Sequence, residues 1–219
     1  MTRYGIDVLL VFLLVCLITA CIVWFFVSLP FVRYTVIALL GCLAILVVNF
    51  FRDPERTVPS DPHLIVSPAD GKIVRIASAY EPEFLRQEAL QISIFMSPLD
   101  VHVNRIPVSG TVKLLRHTPG KFIAAFADKA SDVNEHMTVG IERTDGGKIL
   151  MKQIAGTVAR RIVADLQVGD DVVMGQRFGM IKFGSRVDLF LPKTITVNAR
   201  MHERVTAGVS ILATYQPIA

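Results

Sequence analysis

A glycine followed directly by a serine, Gly184-Ser185, stands where a basic, glycine-punctuated stretch meets an alternating apolar pattern. In "VDLFLP", Val187, Leu189 and Leu191 fall on one face of a predicted strand. Gly-Ser is ordinary turn chemistry, so a turn is the simplest interpretation of the pair. The serine hydroxyl also becomes a nucleophile when a base takes its proton. A catalytic interpretation therefore needs elements that bring a base to Ser185.

A second candidate lies in "FMSPLDVHVNRIP" (95–107), where a proline turn leads into a short predicted strand. Asp100 and His102 are two residues apart, and a strand places such residues on the same face. A carboxylate beside an imidazole can orient it for acid or base catalysis. A surface Asp-His pair is the equally simple alternative. The other histidines fall in loop-like segments, where a surface position is expected: His63, His117, His136 and His202.

Several function classes are excluded by motif and charge. The sequence has no G-x-S-x-G elbow, Walker loop, dinucleotide fingerprint or H-E-x-x-H motif, and we predict no metal site. Its net charge of +4 comes without a dense basic patch interleaved with aromatic residues, so nucleic acid is not an expected partner. Cys16, Cys21 and Cys42 all lie in apolar runs, where they behave as small hydrophobic side chains rather than as a disulfide framework.

The N-terminal quarter of the chain is strongly apolar. No charged residue occurs in 8–32 or in 34–51, and each run is close to the roughly 20 residues of a membrane-spanning helix. Pro30 and Arg33 lie in the short connection, where a helix breaker and an interfacial charge are expected. A cleaved signal peptide fits poorly, because a second apolar run follows at once. We interpret residues 1–51 as a transmembrane helical hairpin, with a re-entrant hairpin as the alternative.

The orientation of the hairpin follows from its flanking charges. Arg3 precedes it, Arg52 and Arg56 follow it, and Arg33 alone lies in the turn. The positive-inside tendency then predicts that both ends of the hairpin, and the domain behind it, are on the cytoplasmic face of the cell membrane.

The rest of the chain has the pattern of a β-rich domain. Three prolines in 52–63 indicate a linker, and 64–219 contains many short β-branched runs separated by Gly, Pro and Asp. This pattern predicts a mainly antiparallel, barrel-sandwich-like fold. Helices are predicted only for "EPEFLRQEALQ" (81–91) and for "FIAAFADKAS" (122–131).

Four segments, in this order behind two apolar runs, resemble the short (A-type) form of the phosphatidylserine decarboxylase proenzyme family. They are "SPADGK" (67–72), "FMSPLDVHVNRIP" (95–107), "GKFIAAFADKASDVNE" (120–135) and "GQRFGMIKFGSRVDLFLP" (175–192). The Gly-Ser junction before "VDLFLP" is the most specific of these elements. The resemblance covers nearly the whole chain.

The resemblance implies that Gly184-Ser185 is an autocatalytic cleavage site. Ser185 Oγ would attack the Gly184 carbonyl, and the resulting ester would eliminate to give a β chain, 1–184, and an α chain, 185–219, which remain together as a heterodimer, with higher oligomers left open. Ser185 would become a covalent pyruvoyl cofactor that forms a Schiff base with phosphatidylserine. Loss of CO2 would then yield phosphatidylethanolamine, and the membrane bilayer would be the source of the substrate.

The resemblance also implies roles for two residues beside Ser185. Asp70 of "SPADGK" matches the family's catalytic aspartate, and His102 matches the first of two motif histidines. Arg105 stands where long-form members have the second histidine, so His117 or His136 could share the work of His102.

Roles for other motif residues are left open. Asp100 is either structural or a partner of His102. Phe122 and Phe126 are core aromatic residues or contacts to acyl chains. Asn134 and Glu135 match the motif without a role that the sequence defines.

Two functional alternatives compete with this interpretation, besides a proenzyme that has lost cleavage, which Arg105 raises. The first is a decarboxylase of another serine phospholipid such as archaetidylserine. The second is a non-catalytic, membrane-anchored barrel-sandwich adaptor, since "SPADGKIVRI" and "QIAGTVARRI" resemble each other and the modules that carry lipoyl or biotinyl groups. An adaptor would keep an intact chain and would tolerate the loss of the Ser185 hydroxyl.

Overall fold

The computed structural model describes residues 1–125, 130–157, 162–181 and 185–215 of the chain. These residues divide into two compact units, 1–54 and 55–219. The predicted fold class, a β-rich and mainly antiparallel domain behind an N-terminal helical hairpin, is confirmed.

The first unit is a pair of helices, α1 (Ile6–Phe26) and α2 (Pro30–Phe50). Each has 21 residues, with mean hydropathies of 3.1 and 2.4, and each is long and apolar enough to cross a membrane. Their ends meet where Thr2 N donates to Phe51 O at 2.9 Å. The Arg33 guanidinium donates to Val27 O and closes the connection between the helices.

The described part of the second unit forms one short helix and fourteen strands. The helix is α3 (Ala130–Val133). The strands are β1 Leu64–Val66, β2 Gly71–Glu81, β3 Gln87–Met96, β4 Val103–Arg105, β5 Gly110–Thr118, β6 His136–Glu142, β7 Lys148–Ala155, β8 Ile162–Ala164, β9 Asp171–Val172, β10 Arg177–Ile181, β11 Ser185–Pro192, β12 Thr196–Val197, β13 Arg204–Val205 and β14 Ile211–Thr214.

Most of these strands belong to an eight-stranded sheet with the order β13-β2-β3-β11-β7-β6-β5-β9. Two three-stranded sheets accompany it, β1-β14-β12 and β4-β10-β8. Alternate residues of β11, which include Val187, Leu189 and Leu191, point into a core of fully buried aliphatic side chains. Strand β11 therefore lies in the middle of the large sheet with one face on the core.

The prediction of a helix at 81–91 is wrong. β2 continues to Glu81 and β3 begins at Gln87, so the segment is a hairpin between paired strands. The Glu81 carboxylate, which is 1% exposed, accepts hydrogen bonds from the amides of Glu83, Phe84 and Leu85 at 2.7 to 2.9 Å. Those bonds satisfy the backbone of the turn, and strand pairing outweighs local helix propensity.

The second predicted helix, 122–131, is also mostly not formed: of its described residues, only Ala130 and Ser131 are helical. Residues 122–125 are not helical, and the described helix α3 begins at Ala130. A pair of hydrogen bonds between Asn134 and Ile123 holds this part of the chain in a loop instead.

Candidate active site

Ser185 is the first residue of the central strand of the large sheet. It lies opposite Met96 on β3 and opposite Ala155 on β7, and it is fully buried. Its hydroxyl donates to Met96 Sδ at 3.3 Å. A thioether is a weak acceptor, so this bond does little to hold the hydroxyl against a stronger base. Gly184, the predicted partner in cleavage, lies outside the described residues.

Two buried amide side chains lie beside this serine on the core face of the sheet. Asn104 Nδ2 approaches Met96 Sδ at 3.8 Å, and Gln153 Nε2 donates to Asn104 Oδ1 at 2.8 Å. Both residues are fully buried. Gln153 Oε1 accepts no hydrogen bond from any residue that the structure describes. A buried acceptor of this kind suits a ligand that brings a donor, such as an amine.

His102 is fully buried at the start of β4. Its Nδ1 is 2.9 Å from Asp100 O, and because a carbonyl oxygen only accepts, Nδ1 carries the proton of the neutral ring. The lone pair that can accept a proton is therefore on Nε2. The His102 carbonyl accepts from Ile181 N at 3.4 Å, which places this residue beside the last residue of β10.

Asp100 contacts His102 through its main chain. Its carboxylate accepts a bond from Ser97 N at 2.8 Å and forms an ion pair with Arg204 at 2.6 Å. Asp100 is thus a structural residue that orients the His102 ring with its carbonyl oxygen. The sequence left open whether Asp100 is structural or a partner of His102, and these contacts give it both roles.

Asp70 lies at the same end of the sheet as Ser185. It immediately precedes β2, and β3 separates β2 from β11, so the two backbones are about 10 Å apart, or two strand spacings. One Asp70 oxygen is 2.9 Å from an Arg56 nitrogen, and the other accepts from Ala207 N at 2.8 Å. These contacts fix the orientation of the carboxylate.

Arg105 lies on the other face of β4 from His102 and Asn104, because side chains alternate along a strand. It is 5% exposed, and it donates to Gly175 O at 2.9 Å. This contact stabilises the packing of the loop before β10. This hydrogen bond of Arg105 therefore does not involve His102.

The two alternative histidines occupy different environments. His117 is on β5, with its side chain 48% exposed, and its Nε2 is 3.1 Å from Glu135 Oε1. His136 is 7% exposed, and its Nδ1 is 2.8 Å from Asn134 O. Neither contact involves Ser185.

The rest of the motif around residue 134 positions the strand next to Ser185. Asn134 Nδ2 donates to Ala155 O at 2.7 Å, and Ala155 N donates to Glu135 O at 2.9 Å. Ala155 is the register partner of Ser185, so Asn134 and Glu135 acquire a structural role that the sequence did not define. Phe122 is 37% exposed and is not a core residue, whereas Phe126 lies outside the described residues.

The opposite face of β11 carries a buried polar network that the sequence analysis missed. Arg186 and Asp188, 2% and 0% exposed, form an ion pair with an Nε to Oδ1 distance of 2.6 Å. Gln91 Nε2 donates to Asp188 at 2.8 Å, and Ser131 Oγ donates to it at 2.5 Å. Opposite charges two residues apart in an apolar strand were the available sequence signal, because such side chains share one face.

Comparison with known proteins identifies the family. A family model described as phosphatidylserine decarboxylase matches residues 43–213. A "Phosphatidylserine decarboxylase proenzyme" of Amoebophilus asiaticus is 47% identical over 171 residues, covering 78% of this chain and 76% of that protein. A protein of the same name from Salinibacter ruber is 49% identical over 168 residues, covering 76% and 74% of the two chains.

Another protein of that name, from Chlorobium chlorochromatii, extends the similarity to the hairpin. It is 42% identical over 218 residues, which cover 98% of this chain and 100% of the relative. With this similarity added to the geometry around Ser185, the chain belongs to the phosphatidylserine decarboxylase family.

Proposed function

We propose that this chain is a proenzyme that cuts itself between Gly184 and Ser185 and then decarboxylates phosphatidylserine to phosphatidylethanolamine. The observation that carries the proposal is the position of Ser185, a fully buried serine at the start of the central strand. Asp70 and His102 approach the same end of the sheet, and the match to the family spans all three residues.

His102 is the base in the proposed cleavage. Ser185 Oγ forms a bond to the Gly184 carbonyl carbon while its proton passes to His102 Nε2, and the peptide C–N bond breaks. The proton then moves to the new amino group of residue 185, which leaves an ester between the two residues. The orientation of His102 by Asp100 O supports this assignment, because it keeps the accepting lone pair on Nε2.

Elimination completes the cleavage. A base removes the Ser185 α-proton, the Cβ–Oγ bond breaks, and the oxygen leaves as part of the new carboxylate of Gly184. Water then replaces the nitrogen of residue 185, which departs as ammonia, and a pyruvoyl group is left at the start of the α chain, 185–219. Besides His102, the base available at this end of the sheet is the Asp70 carboxylate, which Arg56 and Ala207 hold in place.

The residues around position 185 fit such a group. A pyruvoyl group supplies a ketone that can take up the electron pair left when a carboxylate departs as CO2. Gln153 Oε1 is a buried acceptor for the amino group of the substrate, and Asn104 holds Gln153 in place. His102 Nε2 is the atom that would return a proton to the substrate carbon after CO2 has left.

In this proposal the protein is anchored in the membrane because its lipid substrate stays there. Residues 1–51 anchor the protein in the cell membrane as a helical hairpin, 52–63 form the linker, and 64–219 form the catalytic domain on the cytoplasmic face. The β and α chains remain together as a heterodimer. An anchor is useful because a two-chain phospholipid rarely leaves the bilayer.

Intact-mass spectrometry of the detergent-purified chain under denaturing conditions tests the proposal. The wild type should give two chains separated after Gly184, and the smaller one should react with a carbonyl-reactive amine. Ser185→Ala should give one unmodified, inactive chain. Ser93→Ala removes another buried hydroxyl from the same sheet and should still be cleaved, which makes it the matched control.

The outcomes separate the competing functions. An intact wild-type chain of 24.2 kDa that folds and binds membranes would favour an adaptor and overturn the proposal. A cleaved chain that decarboxylates only an ether-linked serine lipid would keep the chemistry and change the substrate to archaetidylserine or a relative of it.

A further inference from the structure

A loop with an exposed apolar tip connects two residues of the candidate site. It runs from Met96 at the end of β3 to His102, and Leu99 lies at its centre with 63% of its surface exposed. The loop is shaped by bonds between Ser97 and Asp100 in both directions, at 2.8 and 2.9 Å. Three residues of chain span at most about 10 Å, so Leu99 is close to the buried site on either side.

A second loop carries another exposed apolar side chain. Met201, which is 46% exposed, precedes β13, and the loop is held to β2 by a bond from His202 N to Ile73 O at 2.9 Å. An ion pair of 2.6 Å joins Asp100 of the first loop to Arg204, the residue that begins β13 directly after the second loop. We call Leu99 and Met201, with the cations near them, the docking rim.

The cations of the docking rim are Lys72, Arg200 and Arg204, and all three are exposed. Lys72 is the register partner of Arg204, and Arg200 lies next to Met201. Single exposed apolar residues are common and need no explanation. Two of them on neighbouring loops, with three exposed cations nearby that outnumber the exposed Glu203, have the composition that favours an anionic lipid surface.

We propose that the docking rim inserts Leu99 and Met201 into the surface of an anionic bilayer and so brings the Ser185 end of the sheet to the lipid headgroups. This inference rests on the proposed function, because it gives a buried reaction site access to a substrate that stays in the membrane. Lys72, Arg200 and Arg204 contact lipid phosphates, and the two apolar side chains enter the headgroup boundary.

Fluorescence of the full chain in vesicles tests insertion without any measurement of activity. Trp24 is the only tryptophan, so Leu99→Trp is placed in a background of Trp24→Phe and Ser185→Ala. In vesicles of phosphatidylcholine and phosphatidylglycerol, bromine near the headgroup end of the acyl chains should quench the new tryptophan. Val168→Trp in the same background is the control, because Val168 is 62% exposed on the loop before β9.

Kinetics provide the second measurement. The double substitution Leu99→Ser and Met201→Ser should lower the ratio of the rate on bilayer phosphatidylserine to the rate on a soluble short-chain analogue by about tenfold. Val168→Ser should leave that ratio unchanged.

The results distinguish the two proposals. An unquenched tryptophan at Leu99, or equal quenching at Val168, overturns the docking rim even if the chain cleaves itself. Quenching confined to Leu99, with cleavage that survives the loss of the Ser185 hydroxyl, supports the rim and overturns the proposed function. A protein that covers the rim instead of lipid would leave the tryptophan unquenched in protein-free vesicles.

Discussion

Arg186 and Asp188 form an ion pair within one strand, buried on the sheet face opposite the Ser185 side chain. Asp188 also accepts bonds from Gln91 and Ser131, residues that precede the proposed cleavage site, whereas Arg186 and Asp188 follow it. The network would therefore join the two chains after cleavage. It also fixes the backbone on the C-terminal side of Ser185.

Removing one partner of this ion pair should destabilise the protein more than replacing both partners with apolar residues. In a Ser185→Ala background, Asp188→Leu should cost roughly 3–5 kcal/mol, because it leaves a buried guanidinium without its carboxylate. Adding Arg186→Met should recover part of the lost stability. Thermal unfolding followed by circular dichroism measures both effects. Glu88→Gln, which removes an exposed pair with Lys193, is the control and should change little. A double variant less stable than Asp188→Leu alone would contradict the prediction.

His102→Gln should slow self-cleavage by roughly 10²- to 10⁴-fold, the usual contribution of a general base. Glutamine can still donate to Asp100 O, but it has no basic nitrogen at the position of Nε2. The fraction of intact chain is measured by gel electrophoresis after synthesis of the proenzyme. His117→Gln removes an exposed histidine and should cleave like the wild type. Wild-type cleavage in His102→Gln would remove His102 from the site.

Asp70→Asn separates a chemical role of this carboxylate from a structural one. The asparagine oxygen can still accept from Ala207 N, so the loop should keep its fold, while the charge is lost. We expect cleavage at least tenfold slower than in the wild type, measured as above, because a missing acid or base generally costs at least that much. Arg56→Gln removes the same ion pair from its other side. An equal effect of both substitutions would mean that only the ion pair matters.

The buried phenol of Tyr215 should make the folded protein less stable at high pH. Burial raises the pKa of its phenol to about 12 from the usual 10. Ionisation is then easier in the unfolded chain, so the stabilisation by neutral Tyr215 is complete below pH 10 and is lost as the pH rises toward 12. The loss should amount to about 2–3 kcal/mol at most.

Tyr215→Phe should remove most of this dependence on pH. It should cost little at neutral pH, because no residue in the described part of the chain hydrogen-bonds the phenol oxygen. Ring packing on the Arg143 guanidinium, 4.1 Å from the ring centroid, is kept. Urea unfolding of the wild type and the variant at pH 8 and at high pH gives the comparison. A parallel decline in both proteins would contradict the assignment.

The sequence predicted the elements with long, simple patterns. Two uncharged runs gave the helical hairpin, and alternation in "VDLFLP" gave the core face of β11. It failed at 81–91, where the Glu81 carboxylate accepts bonds from three amides two to four residues further on, and β3 pairs with β2 on one side and with the distant strand β11 on the other. Local propensity carries no information about such contacts.

The candidate site shows the same division. Ser185, Asp70 and His102 could be predicted, because each occurs in a short segment that resembles a motif of the family. Asn104 and Gln153 were missed, since they are far apart in the sequence and meet only when β4 packs against β7. The same holds for Gln91 and Ser131, which acquire a role only through Asp188.

The place of β11 between β3 and β7 explains why such an enzyme would be made as one polypeptide. Were the 185–219 segment translated separately, its first strand would have to enter a gap between two strands whose edges would otherwise close on each other or on a neighbouring molecule. Synthesis as a single chain installs that strand during folding, and the proposed cut at its first residue would come afterwards, at the end of the strand rather than within it. The topology of the sheet would thus require folding to come before the proposed cut.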